Sequence, residues 1–221
     1  MSDLPRHLAA GLDVHCAEVV VAVTFGNDGW QILTQSKKSY RSRFLVVTAP
    51  LPQALALLDT SGLNYADKEL EVLRSIRYRR GLTTLAILQG SSGLQGDGFL
   101  KLDDEQVNWI ADNQIKGISD FPCVTIQSTP EFAAQHWDSS DDVRGPLMIG
   151  AVANYLKSPV SAYVCHRWGF AFSENRYPKP CFYNPKYHLA LAGDGFFGGR
   201  VEGAALSGIQ AAAELRKDYI A

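Results

Sequence analysis

The sequence predicts a mixed α+β protein, and three observations carry that prediction. Strand-like and helix-like segments follow one another without the regular βαβ alternation of a simple doubly wound sheet. An Asn27-Asp28-Gly29 turn between two apolar runs marks a hairpin or meander. Near the end, AGDGFFGGRVEGAALSG (192–208) sets six glycines between a strand-like HLAL and a helix-like run of small residues.

Taken in order, Leu4 to Gly11 reads as a short helix. Apolar alternation through Val14, Val19, Val21 and Val23 follows, then the turn and a second β-like run, Trp30 to Leu33. FLVVT (44–48) is a buried-strand candidate stopped by Ala49-Pro50. Leu51 to Leu58 is helical, with Pro52 tolerated in its first turn. Asp67 to Ile76 has helical spacing and ends in a basic cluster, Arg77, Arg79 and Arg80. Leu82 to Gln89 is strand-like, and Gly90 to Gly98 is a loop. Cys123 to Gln127 reads as a strand. Ser128-Thr129-Pro130-Glu131 then starts a helix with S-x-x-E capping. A further helix spans about Val143 to Leu156, and Val160 to Phe172 is a strand rich in large side chains. Tyr177-Pro178-Lys179-Pro180 and Asn184-Pro185 mark irregular structure before the last strand.

Composition narrows the function class. With 221 residues and 46% hydrophobic content the chain can bury one large core or two small ones. Lys and Arg number 21 against 23 Asp and Glu, net −2, which gives no general attraction to nucleic acid or an acidic membrane. Cys16, Cys123, Cys165 and Cys181 are far apart, without CxxC pairs or a metal-ligand rhythm with the five histidines. No metal site and no disulfide framework is expected, and a reducing compartment fits. No apolar run reaches membrane-spanning length, and the first residues lack a signal-peptide pattern; the expectation is a cytoplasmic protein.

The closing motif carries the chemistry. Gly193-Asp194-Gly195 falls where a strand ends, the side on which such sheets bind ligands. Gly198 and Gly199 remove Cβ atoms where a ligand approaches the main chain. A helix then begins near Arg200 or Val201, and its first N–H groups suit an anion or an oxygen that gains negative charge. Gly203, Ser207 and Ala211 form one small-residue stripe, and Ala204, Gly208 and Ala212 another. A tight strand–helix connection with small residues for packing alone explains the glycines equally well.

LALAGDGFFGGRVEGAALSGIQAA (189–212) closely resembles the C-terminal flavin-contacting motif of FAD-dependent amine oxidase-like proteins, in particular the renalase-like branch. Further stretches resemble that family in the right order: HLAAGLDVHCAEVVVAVTFGNDGWQI, FLVVTAPLPQALALL, WIADNQIKG, TIQSTPEFAAQHWD and HRWGFAF. The resemblance covers essentially the whole chain. It implies a partial FAD/NAD(P)-binding domain (1–50 and 186–221) and a substrate domain (51–185) built on a mostly antiparallel sheet with helices. The departure is at the start. Family members open with a strand–GxGxxG–helix unit for the FAD pyrophosphate, followed by an acidic residue for the ribose. Neither opens this chain. GSSGLQGDG (90–98) follows a strand-like segment but leads into no apolar helix. The expectation is therefore a family member lacking roughly its first hundred residues.

What the resemblance implies for residues is specific. Asp194, with Gly193 and Gly195, matches the position beside the ribityl-pyrophosphate part of FAD. Gly199, Arg200, Val201 and Glu202 match the opening of the helix that faces the pyrimidine edge of the flavin, where charge accumulates on reduction. Ala49 and Pro50 match a turn passing near the cofactor, and the backbone of Val20 matches an adenine contact. His166 and Trp168 match a landmark whose aromatic ring lies close to the flavin, and are the catalytic candidates. Each has a plainer alternative: a turn cap for Asp194, core for Val20, a surface arginine for Arg200, half-buried strand residues for His166 and Trp168. Phe196 and Phe197 either wall a flat cofactor or fill the core. Tyr177, Tyr183, Tyr187 and His188 read better as a packed aromatic cluster than as a pocket. Arg77, Arg79 and Arg80 either grip a phosphorylated substrate or form a solvated charged face.

The reaction implied is hydride transfer from an amine or a dihydronicotinamide-like substrate to FAD, with O2 as acceptor. The second reading is a catalytically incomplete fragment or a protein-interaction module. Its partner would be a separate dinucleotide-binding chain, or a second copy over the uncovered face.

Overall fold

The computed structural model describes residues 3–63 and 68–220, and the chain divides into two compact units, Met1–Ile76 with Arg176–Ala221 and Arg77–Asn175. The first unit opens with α1 (Asp3–Leu8), β1 (Val20–Gly26), β2 (Gly29–Thr34), β3 (Ser39–Ser42), β4 (Leu45–Val47), α2 (Leu51–Asp59) and α3 (Lys68–Arg74). The second unit holds β5 (Tyr78–Leu88), β6 (Phe99–Lys101), β7 (Val107–Asp112), β8 (Cys123–Ser128), α4 (Pro130–Gln135), α5 (Asp141–Val152) and β9 (Val160–Ser173). The chain then completes the first unit with β10 (Phe182–Asn184), β11 (Leu189–Leu191) and α6 (Val201–Ile220). The mixed α+β class is the observed one, with sheets that are largely antiparallel.

In the first unit β1, β2 and β3 form an antiparallel meander. The hairpin closes with Gly26 opposite Gly29. Gly29 has φ 97°, and a Cβ there would lie 2.6 Å from the Ser42 carbonyl oxygen, so the turn requires glycine. The meander is tied down by two long-range bonds. The Val23 N–H donates to Thr60 Oγ1 at 3.0 Å, and buried Trp30 donates from Nε1 to the Tyr187 carbonyl at 2.7 Å. At its rim Glu18 accepts hydrogen bonds from Lys38 and from Ser36 Oγ, and the Lys38 bond, with Ser36 second, pulls its carboxyl down to about 2. A depressed carboxyl contributes stability above its ordinary pKa and loses it as pH falls through the folded value. The Glu18 carboxyl resonance is therefore expected to titrate near 2 rather than 4.5. Glu18→Gln is expected to flatten the acid limb of the stability curve between those values; unchanged acid sensitivity would show that the pair does nothing for the fold.

The other sheet of this unit has the order β10-β11-β4. β11 and β4 run parallel, Leu189 beside Leu45 and Leu191 beside Val47. Leu189, Ala190 and Leu191 are fully buried. α6 packs its Gly203–Ser207–Ala211 stripe inward, while Ala204 and Gly208 are half-buried and Ala212 is exposed. One of the two small-residue stripes is thus the packing seam. Asp67 lies outside the described residues, and the helix expected from it runs Lys68–Arg74.

In the second unit five antiparallel strands take the order β6-β7-β8-β5-β9. α4 and α5 cover one face, where Leu82, Ala86, Leu88, Ile110, Val124, Ile126, Phe132, Met148 and Val152 form the core. Each of the larger side chains among these contributes about 1.5–3 kcal/mol by leaving water. α5 comes close because residue 145 is glycine: a Cβ there would clash with the Tyr163 ring. Three local expectations need correction. Arg79 and Arg80 do not end a helix but lie in β5, which begins at Tyr78. β6 and β7 are strands that periodicity alone misses. The N-cap of α4 is Thr129, whose hydroxyl accepts from the Phe132 N–H at 3.1 Å, because Ser128 is held in β8 with its hydroxyl accepting from the Leu82 N–H.

Candidate functional site

Two sets of candidate residues emerge, one in each unit. In the first unit the parallel pairing of β4 and β11 brings their carboxyl ends out side by side. β4 runs into Ala49 and Pro50, and Pro50 is the N-cap of α2. β11 runs into Gly193, Asp194 and Gly195, then through Gly198 to Arg200 into α6. The Ala192 N–H donates to the Val47 carbonyl at 3.2 Å, which locks the two ends together. Gly193 has φ 136°, a backbone that side chains rarely adopt.

Ser207 organises this turn, a role that its place in a small-residue stripe does not reveal. Its buried hydroxyl accepts from the Gly193 N–H at 3.0 Å and donates to the Pro180 carbonyl at 2.7 Å. Ser207→Ala leaves the half-buried Gly193 N–H and Pro180 carbonyl without these partners, at a cost of up to about 1–3 kcal/mol. A urea unfolding midpoint equal to that of the parent would show that water replaces the hydroxyl.

At the mouth of the turn Gly199, Arg200, Val201 and Glu202 are exposed. The first N–H groups of the twenty-residue α6 have no intrahelical acceptors and carry the positive end of its dipole, equivalent to about half a unit charge. This end favours an anion or an atom that becomes negative during a reaction. The two phenylalanines of the motif separate: Phe196 is 4% exposed and packs edge-on against Tyr177 at 5.5 Å, whereas Phe197 is 53% exposed. Phe196 is core. Tyr177 and Tyr187 are likewise buried, the latter edge-on to Phe25. Tyr183 donates its hydroxyl to Asp218, and desolvation, with that bond, raises its pKa.

Sequence reasoning misses that Gly193, Gly195 and Gly198 themselves carry G-x-G-x-x-G spacing after a strand. α6, however, starts three residues beyond Gly198, and the close approach to the turn falls to Gly203 inside the helix. The spacing matches, but the arrangement of turn and helix differs from one in which the third glycine enters the helix directly. Val20 stands in β1, on a different sheet from Ala49, Pro50 and the glycine turn.

His166 and Trp168 belong to the second unit. They lie on β9, on the sheet face opposite α4 and α5, with ring centroids 4.3 Å apart. Trp168 Nε1 donates to Thr83 Oγ1 at 3.0 Å, which fixes the indole across the β5–β9 pair. The same face carries Leu85, Ile87 and Val164, all exposed, and Phe99 stacked on Trp109 at 4.6 Å with 13° between planes. Thr125 and Asn113 bond to each other there at 3.0 Å. Sequence reasoning does not find Thr83, which the register sets opposite His166 and which holds Trp168, nor the Phe99–Trp109 stack, which lies farther across the same face on β6 and β7. Among the described residues no group of three or more His, Cys, Asp and Glu side chains is placed to hold a metal, all four cysteines are free, and no helix is long and apolar enough to cross a membrane.

The fold is similar to that of several solved oxidases. The chain superposes on a putative protoporphyrinogen oxidase from Exiguobacterium sp. with TM-score 0.68 at 12% identity, over 98% of this chain and 51% of that one. Putrescine oxidase, in a structure with bound putrescine, gives TM-score 0.67 at 15% identity, over 96% and 51%. In sequence, residues 1–88 match the family described as flavin containing amine oxidoreductase. Renalase of Mus musculus is 24% identical over 226 residues, covering 94% of this chain and 64% of that protein. The chain thus resembles renalase and, over its first 88 residues, the flavin containing amine oxidoreductases, a resemblance that points to FAD as the cofactor. The chain spans 64% of the renalase and about half of the solved structures it matches.

Proposed function

We propose that this chain supplies the flavin-facing side of an FAD site and a substrate-facing sheet for an oxidoreductase of the renalase-like kind. The observation that carries this reading is the side-by-side exit of β4 and β11 into Ala49-Pro50 and the glycine turn, capped by the N-terminus of α6. The donor set suits the group: accessible backbone at Gly193 and Gly199 for close approach, with Gly195 buried beneath them, and N–H groups of residues 201–203 for an edge that gains negative charge. When bound, FAD would accept a hydride from an amine or a dihydronicotinamide-like substrate and pass electrons to O2. Asp194 would lie along the ribityl-pyrophosphate, Arg200, Val201 and Glu202 at the pyrimidine edge, and Val20 would meet the adenine through its backbone. His166 and Trp168, backed by Thr83, would orient the substrate and exclude water from it. Residues 1–50 and 186–221 would serve the cofactor and 51–185 the substrate.

Among the described residues α6 is the one helix of eight or more residues that opens from a glycine-rich turn, so a single anion-favouring end serves a long dinucleotide. Purified alone, the 221-residue chain is expected to be colourless and to bind added FAD weakly, read by quenching of flavin fluorescence. Gly199→Leu, at exposed backbone, should remove that quenching and leave the circular dichroism unchanged; undiminished quenching would sink the proposed site. A stoichiometric flavin band in the protein as isolated would instead show that one helix end suffices.

The second reading, an interaction module, is favoured by the open sheet face, where Val164 is 62% and Ile87 50% exposed. Its partner would be a separate dinucleotide-binding chain or a second copy. Light scattering decides the latter: a concentration-dependent dimer supports it, and a monomer throughout removes it.

A further inference from the structure

The basic run of the sequence divides in the structure. Arg79 pairs with Glu131 at 2.6 Å and Glu174 at 3.3 Å. Arg80 does not share these partners; its guanidinium carbon lies 4.5 Å from the centroid of the Trp137 ring. Arg167, from β9, comes to the same ring at 5.5 Å and donates from Nη1 to the Trp137 carbonyl at 3.4 Å. Arg144 donates to that carbonyl at 3.2 Å, but its charge is matched by Asp141. Arg80 and Arg167 are both exposed, and neither meets a carboxylate among the described residues.

The strand register explains why two like charges stand together. Leu82 is paired with Arg167 and Gly81 with Trp168, and Arg80 stands in the irregularity between Arg79 and Gly81. Arg80 is therefore a diagonal cross-strand neighbour of Arg167, at a spacing of about 7–8 Å that long side chains bridge. Adjacent like charges repel, and among the described residues no carboxylate pairs with either of them. Both guanidinium groups are nonetheless held by Trp137, so little of their freedom remains to be lost on binding.

We propose that Arg80 and Arg167, held by Trp137, form a binding site for a compact dianion of the phosphate type. Two planar forks can each donate in bidentate fashion to such an oxyanion, and its two charges balance theirs. The Trp137 ring is already engaged by the guanidinium groups, so recognition is of the phosphoryl group and not of an attached aromatic base. Arg167 lies on the face of β9 opposite His166 and Trp168, so this site is separate from the sheet face that carries them. Free phosphate and a phosphate monoester share this chemistry, and the titration below distinguishes them.

The test is calorimetric titration of the full chain with inorganic phosphate, with phosphoserine, and with sodium chloride at matched ionic strength. Saturable phosphate binding without a chloride response is expected, weakened about tenfold in the Arg80→Gln/Arg167→Gln double variant and unaltered in Arg79→Gln. Tighter binding of phosphoserine than of phosphate assigns the site to a monoester, and the reverse order assigns it to the free ion. No saturable heat, an equal response to chloride, or a double variant that binds like the parent overturns the proposal. Should the double variant fail to fold, Arg80→Lys/Arg167→Lys keeps the charges and loses the forks: weakened binding supports the site, and undiminished binding overturns it.

Discussion

Gly203→Ala is expected to lower the melting temperature of the protein sharply, and Gly203→Val to prevent the first unit from folding. A Cβ at position 203 would lie 2.6 Å from the Gly198 carbonyl oxygen, 2.8 Å from its Cα and 2.9 Å from its carbonyl carbon. All three are backbone atoms of the glycine turn, so no flexible side chain can move aside. Relief requires α6 to back away from the turn, which breaks the Gly193–Ser207 hydrogen bond and unpacks Ala211. Overpacking of one methyl costs about 1–3 kcal/mol, and the lost buried bond adds about 1–3 kcal/mol, a large part of the stability of a domain. Gly208 is the internal control. It lies in the same helix with nothing within 4 Å of its Cβ position. Gly208→Ala should therefore raise the melting temperature, since alanine is favoured over glycine in a helix by about 1 kcal/mol. Opposite shifts for the two variants in a thermal melt are the expected result. Shifts of the same sign would mean that helix propensity, and not the approach of α6 to the turn, governs both positions. The effect reaches function as well, because the displaced segment is the one proposed to face the flavin.

What the sequence makes legible is what local chemistry determines. Ala49-Pro50 stops β4 and starts α2 because proline ends one element and suits the first turn of the next. The glycine turn and the start of α6 at Val201 follow from composition alone. The register that makes β4 and β11 parallel neighbours is non-local, joining residues more than a hundred positions apart, and only the fold reveals it. The same holds for the second unit. His166 and Trp168 stand out as large polar-aromatic residues in a strand. Thr83, which holds Trp168, and the Phe99–Trp109 stack farther across the same face come from three other strands, two of them too short or too interrupted to show a two-residue period. Side-chain roles that depend on a buried partner are the least legible. Ser128 looks like a helix cap and is instead a sheet residue, Ser207 looks like filler and anchors the turn, and Arg80 looks like its neighbour Arg79 but keeps different company.

Asp112→Ala is expected to destabilise the second unit by about 3–5 kcal/mol, with Asp112→Asn causing a smaller loss. Asp112 is 2% exposed and its carboxylate is fully used. Oδ2 accepts from the buried Ser92 hydroxyl at 2.5 Å, while Oδ1 accepts from the N–H groups of Gln114 at 2.7 Å and Ile115 at 2.8 Å. Ser92 in turn accepts from the Leu94 N–H at 3.1 Å, so one carboxylate fixes both the 90–98 loop and the turn after β7. Alanine leaves three donors without an acceptor, and hydrogen bonds to a charged group are the strong ones. Asparagine retains an oxygen for the two N–H groups but turns an amide donor toward Ser92, so the Ser92 hydroxyl loses the acceptor for its proton and little else changes. The order of urea midpoints should therefore be Asp above Asn above Ala. A second readout ties the clamp to the open sheet face. The loop leads into β6, whose Phe99 stacks on Trp109, so the near-ultraviolet tryptophan signal of Asp112→Ala should weaken before the far-ultraviolet signal does. Equal midpoints for Asp, Asn and Ala would mean that water satisfies the three donors and that the loop needs no buried charge. Equal loss for Asn and Ala would place the whole effect in the Ser92 bond.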